Sequence, residues 1–254
     1  MSGHSKWSSI KHQKGVTDAR RGKLFTKLTR EIIVAVREGG ANPEVNYRLR
    51  LAVQRARDSS MPSDNIERSI KRGEGTLEGE KLTEVVLEGY SLGGAAILIE
   101  ALTDNRNRII QEVRSMFSKS GGGLGESGSV AWLFAPKGLI VVETASQDAD
   151  ELALKAIDAG AEDINNEKGY IEVYTKPEEL GAVRSALEQN SVTIDSAELV
   201  KVPKTTVKPD EHTALQVLKL LDKLEELDDT QTVCSNVDFA DDVLEKYRAQ
   251  NLVK

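Results

Sequence analysis

Apolar residues recur at intervals of three and four from residue 24 onward, where Leu24, Leu28, Ile32, Ala35 and Val36 share one helical face. Lys23, Lys27, Arg30 and Arg37 fall on another face of the same helix. Gly39-Gly40 stops it and Asn42-Pro43 turns the chain. A second helix is predicted over about 44–59, with Val45, Leu49, Ala52, Val53 and Ala56 inward and Arg48, Arg50, Arg55 and Arg57 outward. Pro62-Ser63 opens a short third helix that buries Ile66 and Ile70, carries Arg68, Lys71 and Arg72, and stops at Gly73. Residues 23–73 therefore read as a three-helix unit with a basic exterior, followed by a glycine-rich linker.

The period then changes to two. Residues 84–90 and 95–103 read as strands joined by a tight turn at 91–94. Asp104 or Asn105 caps a helix over about 106–119 with Ile109, Ile110, Val113 and Phe117 as its stripe. A glycine-rich loop, 121–128, leads to a strand at 129–134, and Pro136 breaks the run. Residues 137–202 read as a self-contained β-α-β-β-α-β series, the ferredoxin-like order. A helix at 211–226, a strand at 230–236 and a short helix at about 239–250 complete the chain. The predicted fold class is α+β, with an N-terminal three-helix domain plus two ferredoxin-like α/β domains, one inserted in the other. The expected boundaries are 1–78 for the basic helical domain with its arm, 79–135 plus 203–254 for the discontinuous domain, and 136–202 for the insertion.

Charge sharpens this division. Of 254 residues, 34 are Lys or Arg and 41 Asp or Glu, net −7. Residues 1–75 hold 16 basic and 8 acidic residues, net +8, so the remainder is net −15. That asymmetry points to a polyanion-binding part joined to an acidic remainder. Residues 1–22 lack periodicity and interleave Lys6, Lys11, Lys14, Arg20 and Arg21 with His4, Trp7 and His12, which reads as a mobile arm. Lys and Arg neutralise phosphates, and aromatic rings stack on unpaired bases, so the pattern suits nucleic acid, RNA more than duplex DNA. The competing reading is a solvated helix face with a floppy arm.

The other candidates are weaker. Arg106 and Arg108 stand at a helix N-terminus, where a cation opposes the helix dipole. Either a bound anion relieves this, or the segment is a simple Asp/Asn cap with its arginines in solvent. The 121–128 loop contains G-x-G-x-x-G, but it follows a helix and precedes a strand, the wrong context for a dinucleotide site. Three histidines without metal spacing, one cysteine (Cys234), no HExxH and no G-x-S-x-G give no catalytic set. No catalytic residue, metal or cofactor is expected. Met116, Phe117, Trp132 and Phe134 read as core. The longest uncharged stretch is 11 residues, too short for a bilayer, and no apolar segment marks a secretory signal, so a soluble cytoplasmic protein is expected, with no membrane partner.

Several motifs in fixed order carry a resemblance. They are Gly3-His-Ser-Lys-Trp7, Arg21-Gly-Lys-Leu-Phe-Thr-Lys27, Asn46-Tyr-Arg-Leu-Arg50, Met61-Pro-Ser-Asp-Asn-Ile-Glu-Arg68, Glu88-Gly-Tyr90, Asp104-Asn-Arg-Asn-Arg108, Gly122-Gly-Leu-Gly125 and Gly128-Ser-Val130. In these the chain resembles the YebC/PmpR family, which includes a mitochondrial translational activator, over essentially its whole length. The resemblance implies three domains and a non-enzymatic regulator of gene expression. Two activities are described for such proteins: binding promoter DNA, and acting on the ribosome, where the factor touches ribosomal RNA and relieves stalling. Carried onto this chain, the nucleic-acid contacts are Lys6, Trp7, Lys11, Arg21, Lys23, Lys27 and Arg30, with Arg106 and Arg108. Lys14, Arg20, Arg48, Arg55 and Arg68 join them from the basic exterior. Ser91-Leu92 replaces the usual Gly-Pro, and Ile109 the usual Thr. The expectation is a ribosome-associated translation factor contacting rRNA. A DNA-binding transcriptional regulator and a module that docks an acidic protein partner are the alternatives.

Overall fold

A computed structural model describes residues 18–77, 81–144, 148–167 and 169–251, without the side chains of 18–20 and 251. Lys6, Trp7, Lys11 and Lys14, with His4 and His12, lie outside the described residues, as does the side chain of Arg20. The fold is α+β, as the residue pattern predicts. Contacts divide the chain into two compact units. One draws on Met1–Val53, Met61–Phe134 and Pro203–Lys254, the other on Gln54–Ser60 and Ala135–Val202.

The first unit begins with helix α1 (Asp18–Gly39), α2 (Tyr47–Asp58), which runs on into the second unit, and α3 (Ser63–Gly73). Leu28, Ile32, Ala35 and Val36 of α1 are buried. Gly40 adopts φ +82° and closes α1 by donating to the Val36 carbonyl. The buried Asn46 ties the end of one helix to the start of the next. Its amide nitrogen donates to the carbonyls of Ala35 and Gly40, both at 2.7 Å, and its oxygen accepts the Leu49 N–H at 3.0 Å. Against α1, α3 packs so closely that a Cβ on Gly73 would lie 2.6 Å from Val36 Cβ.

The same unit holds a four-stranded sheet in the order β3-β1-β2-β8, with β1 (Thr83–Tyr90), β2 (Ala96–Thr103), β3 (Gly123–Leu124) and β8 (Thr230–Ser235) all antiparallel. Helix α4 (Arg106–Lys119) buries Ile109, Val113 and Phe117 on one face of the sheet, together with α7 (Glu211–Glu225) and α8 (Asp241–Asn251). Ile109, the position where Thr is usual, is fully buried in this core. On the opposite face, Ala96, Leu98 and Cys234 meet Val130, Leu133 and Phe134.

Two expectations are corrected here. Residues 129–134 form no strand of their own. They lie across the sheet through a 3-10 turn, Ala131–Leu133, and the third strand is the short β3 inside the glycine-rich loop. The apolar run at 130–134 marks burial on a sheet face, not pairing. Nor does Pro136 end a strand: β4 (Phe134–Glu143) runs through it. The ladder to β6 starts at Gly138, so no bond to β6 is asked of the proline's missing N–H.

The second unit contains β4, α5 (Ala149–Asp158), β5 (Asp163–Glu167), β6 (Tyr170–Thr175), α6 (Leu180–Gln189) and β7 (Ile194–Pro203). Its strand order β5-β6-β4-β7 is the ferredoxin-like arrangement predicted from the β-α-β-β-α-β sequence. Leu152 and Ala156 of α5 and Leu180, Val183 and Leu187 of α6 are its buried helix positions.

Candidate nucleic-acid interface

The sequence places the strongest candidates on the basic face of α1, and the structure gives those side chains partners within the chain. Lys27 Nζ donates to the Glu225 carbonyl at 2.7 Å, and Lys23 Nζ to the Glu226 carbonyl at 3.2 Å. These are unsatisfied carbonyls at the end of α7, where the helix dipole concentrates negative charge. Arg30 reaches further. Its guanidinium donates to Asp229 Oδ1 at 2.6 Å and to the Asp228 carbonyl at 2.8 Å, and its side chain is only 15% exposed. A cationic helix face is thus read by a helix C-terminus some 200 residues away.

Asp229 is the centre of this arrangement. Its second oxygen accepts from Thr103 Oγ1 at 2.7 Å and from Arg108 at 2.8 Å. Burial alone would raise the carboxyl pKa; hydrogen bonds from Arg108, Thr103 and Arg30 outweigh it and hold the group below the usual carboxylate range. Arg108 also pairs with Asp104 at 2.6 Å, and these partners raise its already high pKa, the hydrogen bond to Asp229 foremost. The cap of α4 is Asn105, whose oxygen accepts the Arg108 N–H at 3.1 Å. Of the two readings of this segment the structure favours the cap: carboxylates of the chain itself relieve the dipole conflict at Arg108.

Two further candidates are paired. Arg48 bridges Glu38 and Glu84, and Arg55 meets Glu198 at 3.1 Å. Several exposed cations stand without a hydrogen bond or ion pair among the described residues, Arg57, Arg114, Lys119, Lys219 and Lys223 among them, and so do five that belong to or adjoin the candidate set. Arg21 is exposed on α1. Arg68 is exposed on α3, and Lys71 and Arg72 follow it at the i+3 and i+4 positions of the same face. Arg106 is exposed on α4.

Arg106 borders a groove of about 440 Å³ that the sequence reading does not anticipate. Arg114, two turns along α4, lies on it as well; Val86, Ile110 and Leu124 give it an apolar floor, and Glu126 is its exposed acid. The glycine-rich loop forms one wall, and a buried carboxylate holds the loop's end in place. Glu88, 4% exposed, accepts the N–H groups of Gly128 at 2.6 Å, Val130 at 2.7 Å and Ala131 at 2.8 Å. Three charge-assisted bonds to one carboxylate fix the backbone there.

That segment positions two aromatic rings. Tyr90 Oη and Trp132 Nε1 both donate to the Ser129 carbonyl, each at 3.0 Å. Trp132, expected in the core with Phe117 and Phe134, is instead 64% exposed, and Tyr90 is 42% exposed. The alternation of β1 puts Tyr90 and Glu88 on one face, but the apolar run around Trp132 hides its outward direction. No cluster of three or more His, Cys, Asp or Glu side chains suited to a metal occurs among the described residues, and none of their helices is long and apolar enough to cross a membrane.

Known proteins share this arrangement of parts. Residues 5–76 match a family model described as the TACO1/YebC protein N-terminal domain, and residues 82–237 one described as the TACO1/YebC second and third domain. A probable transcriptional regulatory protein of Dehalococcoides mccartyi strain CBDB1 is 62% identical over 250 residues, covering 98% of this chain and all of that one. Another, from Halothermothrix orenii, is 49% identical over 97% of this chain and 98% of its own length. The crystal structure of a conserved hypothetical protein from Aquifex aeolicus superposes with a TM-score of 0.86 at 51% identity, over 93% of this chain and 98% of that one. The chain belongs to the TACO1/YebC family of gene-expression regulators.

Proposed function

We propose that the protein is a non-enzymatic, cytoplasmic, nucleic-acid-binding regulator that works on the ribosome, contacts ribosomal RNA and relieves stalled translation. The observation that carries the nucleic-acid part is the stripe of Arg68, Lys71 and Arg72 on α3. Three exposed cations stand on one helical face with no carboxylate partner among the described residues, in a chain segment of net +8. Arg21 and Arg106 extend the set; the arm residues Lys6, Trp7, Lys11, Lys14 and Arg20 precede it in sequence. Lys23, Lys27, Arg30 and Arg108 have partners inside the fold, so they support the interface by holding its elements.

The relatives named probable transcriptional regulatory proteins favour a second reading, duplex DNA binding. In a helix-turn-helix the N-terminal residues of the second helix meet base edges. Here α2 and α3 are joined by four residues, and the first half of α3 carries Asp64 and Glu67 while its cations, Arg68, Lys71 and Arg72, occupy the second half. That charge order disfavours insertion of the α3 N-terminus beside DNA phosphates, and the RNA reading takes precedence.

The test is co-sedimentation of the full chain with ribosomes in the presence of excess duplex DNA. Pelleting that is lost in the Arg68→Ala/Lys71→Ala/Arg72→Ala variant supports the proposal. Retention by the DNA assigns the chain to transcription, and binding to neither leaves the basic face to an acidic protein partner.

A further inference from the structure

We propose that Tyr90 and Trp132 form a stacking platform for unpaired bases of a single-stranded RNA, an inference that rests on the nucleic-acid reading above and names a part of the surface that reading does not use.

Tryptophan is among the most buried side chains on average, so one left 64% exposed calls for a reason. The indole does not hang free. Its N–H is bound to the Ser129 carbonyl, and the Tyr90 hydroxyl is bound to the same oxygen, so the two polar ends lie within about 6 Å of one another, the sum of two 3.0 Å bonds. Each ring therefore has its donor satisfied internally and presents apolar surface to solvent. Base stacking needs that: a ring face, no unmet polar group and little freedom to lose.

The rigidity has a source. Ser129 lies between Gly128 and Val130, whose N–H groups are both held by the buried Glu88 carboxylate, as is that of Ala131. A buried charge costs several kcal/mol of desolvation unless fully bonded, and here it is matched to three backbone donors. The result is a fixed pedestal under two exposed rings.

Charge near the rings fits a polyanion. Lys204 Nζ donates to the Trp132 carbonyl at 2.9 Å, which brings an exposed ammonium to the platform. On the other flank of the same loop the groove carries Arg106 and Arg114 against the single exposed acid Glu126. Cations flanking paired aromatic faces are the elements with which sequence-tolerant single-strand binders track a backbone and hold its bases.

The test uses the full chain, with affinity read from the anisotropy of 5′-fluorescein-labelled RNA and Trp132 emission taken as the part of the tryptophan signal that Trp132→Ala lacks. Twelve-nucleotide oligouridylate and oligoadenylate RNAs are titrated at several salt concentrations. Trp132 emission should change on binding. Trp132→Ala should weaken affinity about 5- to 150-fold per lost base stack, with the slope of log K against log salt unchanged. Trp132→Phe, which keeps a ring, should recover most of that loss. Arg68→Ala/Lys71→Ala/Arg72→Ala should instead lower the slope. Wild-type affinity in Trp132→Ala, or unchanged Trp132 emission at saturating RNA, overturns the platform while the cationic interface stands. Failure of the parent protein to bind either RNA overturns both readings. Quenching by a proline-rich peptide and not by RNA overturns the platform as a base site and assigns the rings to a protein partner.

Discussion

Replacing Arg30 by Ala separates a phosphate contact from an internal tie. Arg30 is 15% exposed on its side chain, and the Asp229 carboxylate it meets is 7% exposed. It donates to Asp229 at 2.6 Å and to the Asp228 carbonyl at 2.8 Å. Truncating one member of a buried pair typically costs about 3–5 kcal/mol, and a hydrogen bond to a charged group about 1.5–3 kcal/mol. Asp229 keeps Arg108 and Thr103 in the variant, which limits the charge left unpaired. We expect a loss of about 2–3 kcal/mol, or a fall in Tm of about 4–12 °C for a chain of this size. Differential scanning calorimetry of Arg30→Ala gives the first readout. RNA affinity against salt gives the second, and its slope should match the wild type. An unchanged Tm together with a slope reduced by about 0.7 would refute the reasoning, because that is the mark of a lost single-strand phosphate contact.

Other expected outcomes follow from the same geometry. Glu88→Gln places an amide NH2 against at least one of three backbone donors, so the Gly128, Val130 and Ala131 amides should exchange about 5- to 150-fold faster, as expected for a local loss of about 1–3 kcal/mol. Asp229 has a depressed pKa in the fold, so its contribution is present above the unfolded value near ~3.9 and is lost as pH falls through the lower folded value. Urea titrations of Asp229→Asn should therefore show lower stability than the wild type at pH 6 and a flatter decline below about pH 4. Burial first, and then the hydrogen bond to Asp222, hold the Tyr247 phenol above its ordinary range, so Tyr247→Phe should remove a late phase from an alkaline titration followed at the tyrosinate absorbance. Gly73→Ala drives a Cβ to 2.6 Å from Val36 Cβ and should cost about 1–3 kcal/mol, read as earlier melting of the N-terminal helices.

Local patterns revealed elements whose determinants are local. Helix α4 begins and ends where its Asn105 cap and its Ile109, Val113 and Phe117 stripe place it. The second unit is legible because each of its strands and helices carries its own period. Residues 129–134 are misread because an apolar run records burial without saying whether a neighbouring strand or a sheet face provides it. Trp132 is misread for the same reason. The α1 cations are the instructive case. A row of Lys and Arg is equally suited to phosphates and to the carbonyls at a helix C-terminus, and only the tertiary fold shows that Lys27 and Lys23 meet Glu225 and Glu226. The free cations of α3 look no different in sequence from those of α1.

The bond between Arg30 and Asp229 joins residues 199 positions apart. During synthesis at about 5–20 residues per second, roughly 10–40 s pass between the two. Through most of that interval α1 carries Lys23, Lys27 and Arg30 before the partners they find at residues 225–229 have been made. The growing chain is thus less compensated along its leading helix than the finished protein, and the contacts of that helix with residues 225–229 can form only late in synthesis. Premature termination anywhere before residue 225 deprives Lys23, Lys27 and Arg30 of the carbonyls and the carboxylate at 225–229, which gives a species with a stronger general attraction for nucleic acid than the complete protein has.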